Sequence, residues 1–195
     1  MKCISLAPVL LAAVASAQMS MPRIDTRPSH KSSVEVSYGS VSDDDGDSSG
    51  YGVNARLYFY RNAFVSVARN NVSFDGTSLD AHQFTYGIGT TEAWGQGTLT
   101  AYYAHGEVDG DLGSVTQNLF GLGYELPIAG NLTAGLTVAH TLNAGDVQDV
   151  TVTIFSLRYE FAPGFGISVS YAAQDTLLGQ AGAQRTTSFG LRYSF

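Results

Sequence analysis

The feature that most constrains this chain is a series of ten segments in which apolar and polar residues alternate. They occupy residues 33–40, 50–61, 63–74, 80–94, 96–107, 114–127, 131–142, 149–161, 164–175 and 185–195. In the last of them Phe189, Leu191 and Tyr193 fall on one face and Gly190 and Arg192 on the other. A period of two residues is that of a β-strand, whose successive side chains point to opposite faces. Two segments are less regular: 63–74 is ambiguous, and 149–161 is expected to change face near residues 154–155.

Two kinds of connection alternate between these segments. Short ones lie at 61–62, 95–96, 128–130 and 162–164, and longer acidic ones lie at 41–49, 75–79, 108–113, 143–148 and 176–184. An even number of strands with short turns at one end and longer loops at the other is typical of a membrane barrel. We therefore expect an all-β fold, a ten-stranded antiparallel up-and-down transmembrane β-barrel, with eight strands as the alternative.

The charge content also favours a membrane protein. Only 14% of the residues are charged, whereas soluble domains contain about 25%. Beyond the N-terminal segment, no apolar run reaches the roughly 18 residues of a membrane-spanning helix. The ten Lys and Arg residues are outnumbered by 17 Asp and Glu and do not cluster. This pattern argues against nucleic acid as a partner.

The N-terminus resembles a secretory signal peptide. A positive Met1-Lys2 is followed by the apolar stretch 4–14 and by the small residues Ala15-Ser16-Ala17. We therefore expect a signal peptide over 1–17, a flexible periplasmic lead-in over 18–32 and the barrel over 33–195. The single cysteine, Cys3, precedes the cleavage site, so the mature chain would contain no disulfide.

Alternation alone does not tell which face points outward, and charges and aromatic residues decide it. The polar faces contain charges deep within the strands, namely Glu35, Arg56, Glu125, Arg158, Glu160 and Arg192. Aromatic residues lie near the short turns (Phe59, Phe64, Trp94, Tyr124, Tyr159, Phe161, Phe165, Tyr193 and Phe195) and near the long loops (Tyr38, Tyr51, Phe74, Phe84, Tyr103 and Tyr171). Two aromatic girdles with a polar interior are typical of an outer-membrane barrel. A soluble secreted ligand-binding β-barrel is the alternative.

The terminal sequence Leu191-Arg192-Tyr193-Ser194-Phe195, together with the signal peptide and the strand rhythm, resembles a known group. It is similar to small outer-membrane β-barrel proteins of Gram-negative bacteria, the porin-like and OmpA-domain-like superfamily. The resemblance implies location in the cell outer membrane, among outer-membrane lipid and lipopolysaccharide. It also implies that Tyr193 and Phe195 form the signal read by the barrel-assembly machinery. It implies no particular activity.

Three sequence motifs are candidates for a catalytic or metal-binding site. His140 begins a sequence similar to the motif of outer-membrane lipid A deacylases, but Leu142 occupies the place of the serine nucleophile. Asp80 and His82 are similar to the acid–histidine pair of the omptin proteases in a much shorter chain. The acidic run 43–47 lacks the spacing of a calcium-binding EF-hand loop. We expect no catalytic, cofactor or metal site.

The functional expectation is a non-enzymatic outer-membrane barrel, either a narrow porin-like passive channel or a structural and surface-interaction protein. An outer-membrane enzyme acting at the extracellular rim, deacylase-like or omptin-like, is the alternative. Within the lumen, Arg158 and Arg192 are predicted to pair with Glu125 and Glu160 near the periplasmic end, close to Arg56. A water-accessible vestibule is expected above this constriction. The oligomeric state is left open.

Overall fold

The computed structural model describes residues 31–43, 46–60, 62–74, 80–111, 113–143, 150–176 and 185–195. The predicted signal peptide and nearly all of the lead-in lie outside the described residues. The strands are β1 Ser33–Asp43, β2 Gly46–Tyr60, β3 Ala63–Phe74, β4 Asp80–Trp94, β5 Gly97–Gly110, β6 Gly113–Ala129, β7 Leu132–Asn143, β8 Val150–Ala162, β9 Phe165–Thr176 and β10 Arg185–Ser194.

The ten strands form one closed antiparallel barrel. Each strand pairs with its neighbours in sequence, and β10 returns to pair with β1, where Glu35 lies opposite Arg192. Closure leaves no unpaired edge, which is what a sheet surrounded by lipid requires. The predicted fold class is confirmed, with ten strands rather than eight. No helix in the described ranges is long and apolar enough to cross a membrane.

Two of the connections predicted to be long are tight. The β1–β2 ladder continues to the pair Asp43 and Gly46, and the β5–β6 ladder continues to the pair Gly110 and Gly113. Both hairpins contain 11 to 17 residues per strand, whereas about 9–11 tilted residues cross a bilayer. Residues 41–43, 46–49, 108–110 and 113, which were expected in loops, therefore belong to the strands. Residues 75–79, 144–149 and 177–184 lie outside the described residues.

The outer surface of the barrel is largely apolar, and the buried polar and charged residues lie on the inner surface together with a smaller number of apolar ones. Val36, Ile88, Leu122 and Leu191 are each more than half exposed on the outside. Each of the ten strands, in contrast, contributes at least one buried polar or charged residue. A soluble barrel would have the opposite arrangement, because its outer surface meets water. The order found here is that of a membrane barrel.

Three local predictions are wrong. Phe64, expected in the aromatic girdle, points inward and is fully buried. Strict alternation places Tyr60 on the inward face together with Arg56. It is exposed instead, because the β2–β3 register shifts between Tyr58 and Tyr60. β8 does not change face near residues 154–155, since its register with β9 is regular from Val150 to Glu160. Its apolar residues at 150, 152 and 154 are buried inside the barrel.

Candidate functional site

A buried ion pair crosses the interior of the barrel between β6 and β8. Arg158 donates from Nη2 to Glu125 Oε1 at 3.1 Å and from Nη1 to Glu125 Oε2 at 3.4 Å. Only 7% of the arginine side chain and 2% of the glutamate side chain are exposed. β7 lies between the two strands, and there Glu125 faces Gly135. A Cβ at Gly135 would lie 2.5 Å from Ser156 Oγ but 3.7 Å from Glu125 Cγ, so the glycine makes room for Ser156, next to the ion pair.

Glu35 reaches across an intervening strand in the same way. Ser168 on β9 donates from Oγ to Glu35 Oε1 at 2.9 Å, over β10. Gly190 on β10 lies opposite both Ser37 and Ser168, and a Cβ there would lie 2.5 Å from the bonded Oε1 and from Ser168 Oγ. The contact between Glu35 and Ser168 therefore depends on the absence of a side chain at position 190.

Arg192 lies beside Glu35 in a third arrangement of this kind. It is directly opposite Glu35 on β1 and opposite Gly166 on β9, which in turn faces Glu160 on β8. Arg192 Nε donates to Ser194 Oγ at 3.1 Å. Glu160 Oε1 accepts from the backbone N–H of Gly164 at 3.3 Å. The structure thus brings Arg158 to Glu125, and it places Glu160 and Arg192 on either side of a glycine.

Arg56 completes the set of interior charges. Its guanidinium carbon lies 4.2 Å from the centroid of the Phe64 ring, a cation–π geometry. The Phe64 ring fits into the interior because residue 89 has no side chain. A Cβ at Gly89 would overlap that ring. Arg56 is 7% exposed, and its Nε and Nη1 have no hydrogen-bond partner among the residues that the structure describes. The sequence predicts Phe64 in the outer girdle, so it gives no sign of this contact with Arg56.

Above the charged network the interior is tightly filled, and the predicted vestibule is not found among the described strands. Asn70 donates to Gln83 Oε1 at 3.2 Å. Leu119 and Gln117 are each 1% exposed, and Tyr102 packs over Gly121. A cluster of Val150, Val152, Ile154 and Ala172 lines the same half. A vestibule open to water would leave these inward residues accessible.

The histidines considered for catalysis lie on the outside of the barrel. His82 Nδ1 is 2.7 Å from Asn71 Oδ1, and His140 Nδ1 is 3.0 Å from Thr151 Oγ1. Leu142, two residues from His140, is exposed on the same outer face. The described part of the chain contains no group of three or more His, Cys, Asp or Glu residues that could hold a metal ion.

No protein-family model matches the sequence, and no curated protein matches it significantly. Among solved structures it is similar to the NanC porin, with a TM-score of 0.52, 11% identity, and coverage of 83% of this chain and 100% of that one. It is also similar to the translocator domain of the autotransporter NalP from Neisseria meningitidis, with a TM-score of 0.52, 12% identity, and coverage of 88% and 90%. At these identities the likeness concerns the fold. The chain therefore has the fold of the small outer-membrane β-barrel proteins.

Proposed function

We propose that this protein is a non-enzymatic, porin-like barrel of the cell outer membrane whose narrow lumen is closed by its own side chains. The observation that carries the proposal is the buried pair of Glu125 and Arg158, which joins strands on either side of β7. Glu35, Arg56 and Arg192 are buried beside it, each at 7% exposure or less. A lumen filled in this way passes few ions, because conduction requires a continuous water-filled or ion-binding path.

The outer-membrane location is supported by the outward surface. Aliphatic residues form the middle of the wall, and at its short-turn end Trp94, Tyr159, Phe165 and Phe195 are exposed. The last strand is also joined to the first at that end, where the backbone N–H of Phe195 donates to Ser32 O at 2.9 Å. This position is consistent with Tyr193 and Phe195 acting as the assembly signal.

Conductance of the refolded protein in a planar bilayer tests the closed lumen. The wild type is expected to show small or no current, and Arg158→Ser is expected to increase it by opening space next to Glu125. Arg185→Ser is the matched control, since Arg185 is an exposed outward residue of β10. Large currents through the wild type, or equal currents from both variants, would contradict the proposal.

The absence of a nucleophile distinguishes this proposal from a deacylase-like enzyme. Leucine occupies position 142, and the hydroxyl that His140 contacts within the described strands belongs to Thr151, on the membrane-facing surface. Hydrolysis of lipid A by the refolded wild type would overturn the non-enzymatic assignment. Current measurements and product analysis on the same preparation separate the two functions.

A further inference from the structure

The membrane-facing wall contains a groove across β4 to β7. Thr90 and Ala101 are directly paired, and both are small. Larger side chains surround them, including Ile88, Tyr103 and Leu122. A depression of about 640 Å³ remains between these larger side chains. Its lining is almost entirely apolar, and His140 forms part of its edge. A depression of this shape on a wall surrounded by lipid has room for an acyl chain.

Polar side chains border this groove on its extracellular side. Tyr103 donates from its hydroxyl to Asn118 Oδ1 at 2.8 Å, and His105 Nδ1 lies 2.9 Å from the same oxygen. His140 is held through Nδ1 by Thr151. Asn118 Oδ1 can only accept, so Nδ1 of His105 donates this hydrogen bond, and Nε2 of the neutral ring can accept one from a ligand. The two imidazoles are therefore fixed in orientation before any ligand arrives.

Arg69 lies level with these histidines. The row of directly paired residues that starts at Val34, near the beginning of β1, runs through Ala55 and Val67. It ends on β7 at Leu142, near the extracellular end of that strand. The strands are thus tilted, and residues at one height step back by about one position per strand. Arg69 pairs with Phe84, which pairs with Glu107. Stepping back two positions on β5 places Arg69 at the height of His105.

An exposed arginine on the membrane-facing surface indicates which part of the lipid is nearby. A cation is much more costly at the bilayer midplane than near the interface, where phosphates are found. Glu107 and Asp109 are exposed above His105 on the same strand. They repel an anion placed higher, so a phosphate is favoured at the level of Arg69 and His105. On β1 and β2 the outward residues include Tyr38, Tyr51 and Val53 instead.

We infer that this groove binds one acyl chain of lipopolysaccharide, the phosphorylated and multiply acylated lipid of the outer leaflet, with a phosphate held by Arg69. The inference rests on the proposed outer-membrane location, and it does not depend on whether the lumen conducts. It assigns the polar surface of β3 to β7 to lipid recognition.

The test is lipid binding to the refolded barrel in detergent, measured by native mass spectrometry with diphosphorylated lipid A as the probe. Ala101→Phe fills the groove and is expected to lower the affinity by at least about tenfold. Ala55→Phe is the matched control, because Ala55 is an outward alanine on β2 between Val34 and Val67. Unchanged affinity of Ala101→Phe, or equal loss in both variants, would overturn the acyl site.

A second comparison tests the phosphate. Arg69→Gln is expected to weaken binding of diphosphorylated lipid A and to leave binding of the dephosphorylated lipid unchanged, whereas Arg185→Gln, an exposed arginine on β10, should affect neither. If phosphatidylglycerol binds as tightly and depends equally on position 101, the assignment to lipopolysaccharide is wrong. Either failure leaves the bilayer currents of the wild type unaffected, so it is distinguishable from a failure of the proposed function.

Discussion

Replacing Glu125 by Gln removes the negative charge that contacts the Arg158 guanidinium at 3.1 Å. The effect on stability depends on how dry the lumen is. Breaking a buried pair by removing one partner costs about 3–5 kcal/mol, because an uncompensated charge is left behind. An exposed pair contributes only about 0–1 kcal/mol. The side chains here are 7% and 2% exposed, and we therefore expect a loss of about 3 kcal/mol.

The single tryptophan provides the assay. Trp94 lies at the short-turn end of β4 with its ring 6.2 Å from that of Tyr124. Its fluorescence in urea-induced unfolding from lipid vesicles reports whether the barrel is closed. The double variant Glu125→Gln with Arg158→Met is the control, since it removes both charges and should recover most of the lost stability.

Two results would refute the reasoning. A loss below about 1 kcal/mol for Glu125→Gln would mean that water screens the pair, and hence that the lumen is hydrated. A double variant as unstable as the single one would mean that the loss comes from altered packing and not from the charge left on Arg158. The first result would also remove the support for a closed lumen.

Three further outcomes are expected. In whole cells, an impermeant thiol reagent should label Asp109→Cys at the β5–β6 hairpin but not Gln96→Cys at the opposite turn. Labelling of Gln96→Cys alone would contradict the predicted topology, in which both termini are periplasmic. Deleting Phe195 should reduce the amount of protein inserted in the outer membrane more than the amount synthesised, whereas Phe59→Ala should not. Normal outer-membrane levels of the truncated protein would count against an assembly signal at the C-terminus. Gly89→Ala should cost about 1–3 kcal/mol in the unfolding assay, because its Cβ would overlap the Phe64 ring. Gly106→Ala, whose nearest side-chain atom is 3.2 Å away, should cost less, and equal losses would show that the Phe64 position is not constrained.

The number of strands and their closure could be predicted from the sequence because both depend on local signals. A period of two and regularly spaced turns identify each strand, and an even number of strands in lipid has to close. The facing of β8 was harder to predict. Val150, Val152 and Ile154 are as apolar as the lipid-facing residues, yet they fill the interior. Composition does not distinguish the two faces where the lumen itself is packed.

The partners within the lumen depend on register, which the sequence does not fix. Glu125 and Arg158 were expected to be near each other, since both lie on inward faces toward the same end. The shift at Tyr58 and Tyr60, however, adds one residue to β2 relative to β3. Nothing in the local sequence marks this shift, and it places Tyr60 outside. The prediction of inward charges therefore holds better than the prediction of their neighbours.

The position of the glycines accounts for the way in which this interior is closed. Neighbouring strands lie about 4.8 Å apart, so a side chain that crosses one strand passes directly over the residue between. Glu35 does so over Gly190, and Glu125 does so beside Gly135. A larger residue at position 190 would push the Glu35 carboxylate away from Ser168, and one at position 135 would displace Ser156 beside the Glu125–Arg158 pair. The network that closes the lumen thus depends as much on residues without side chains as on the charged residues that form it.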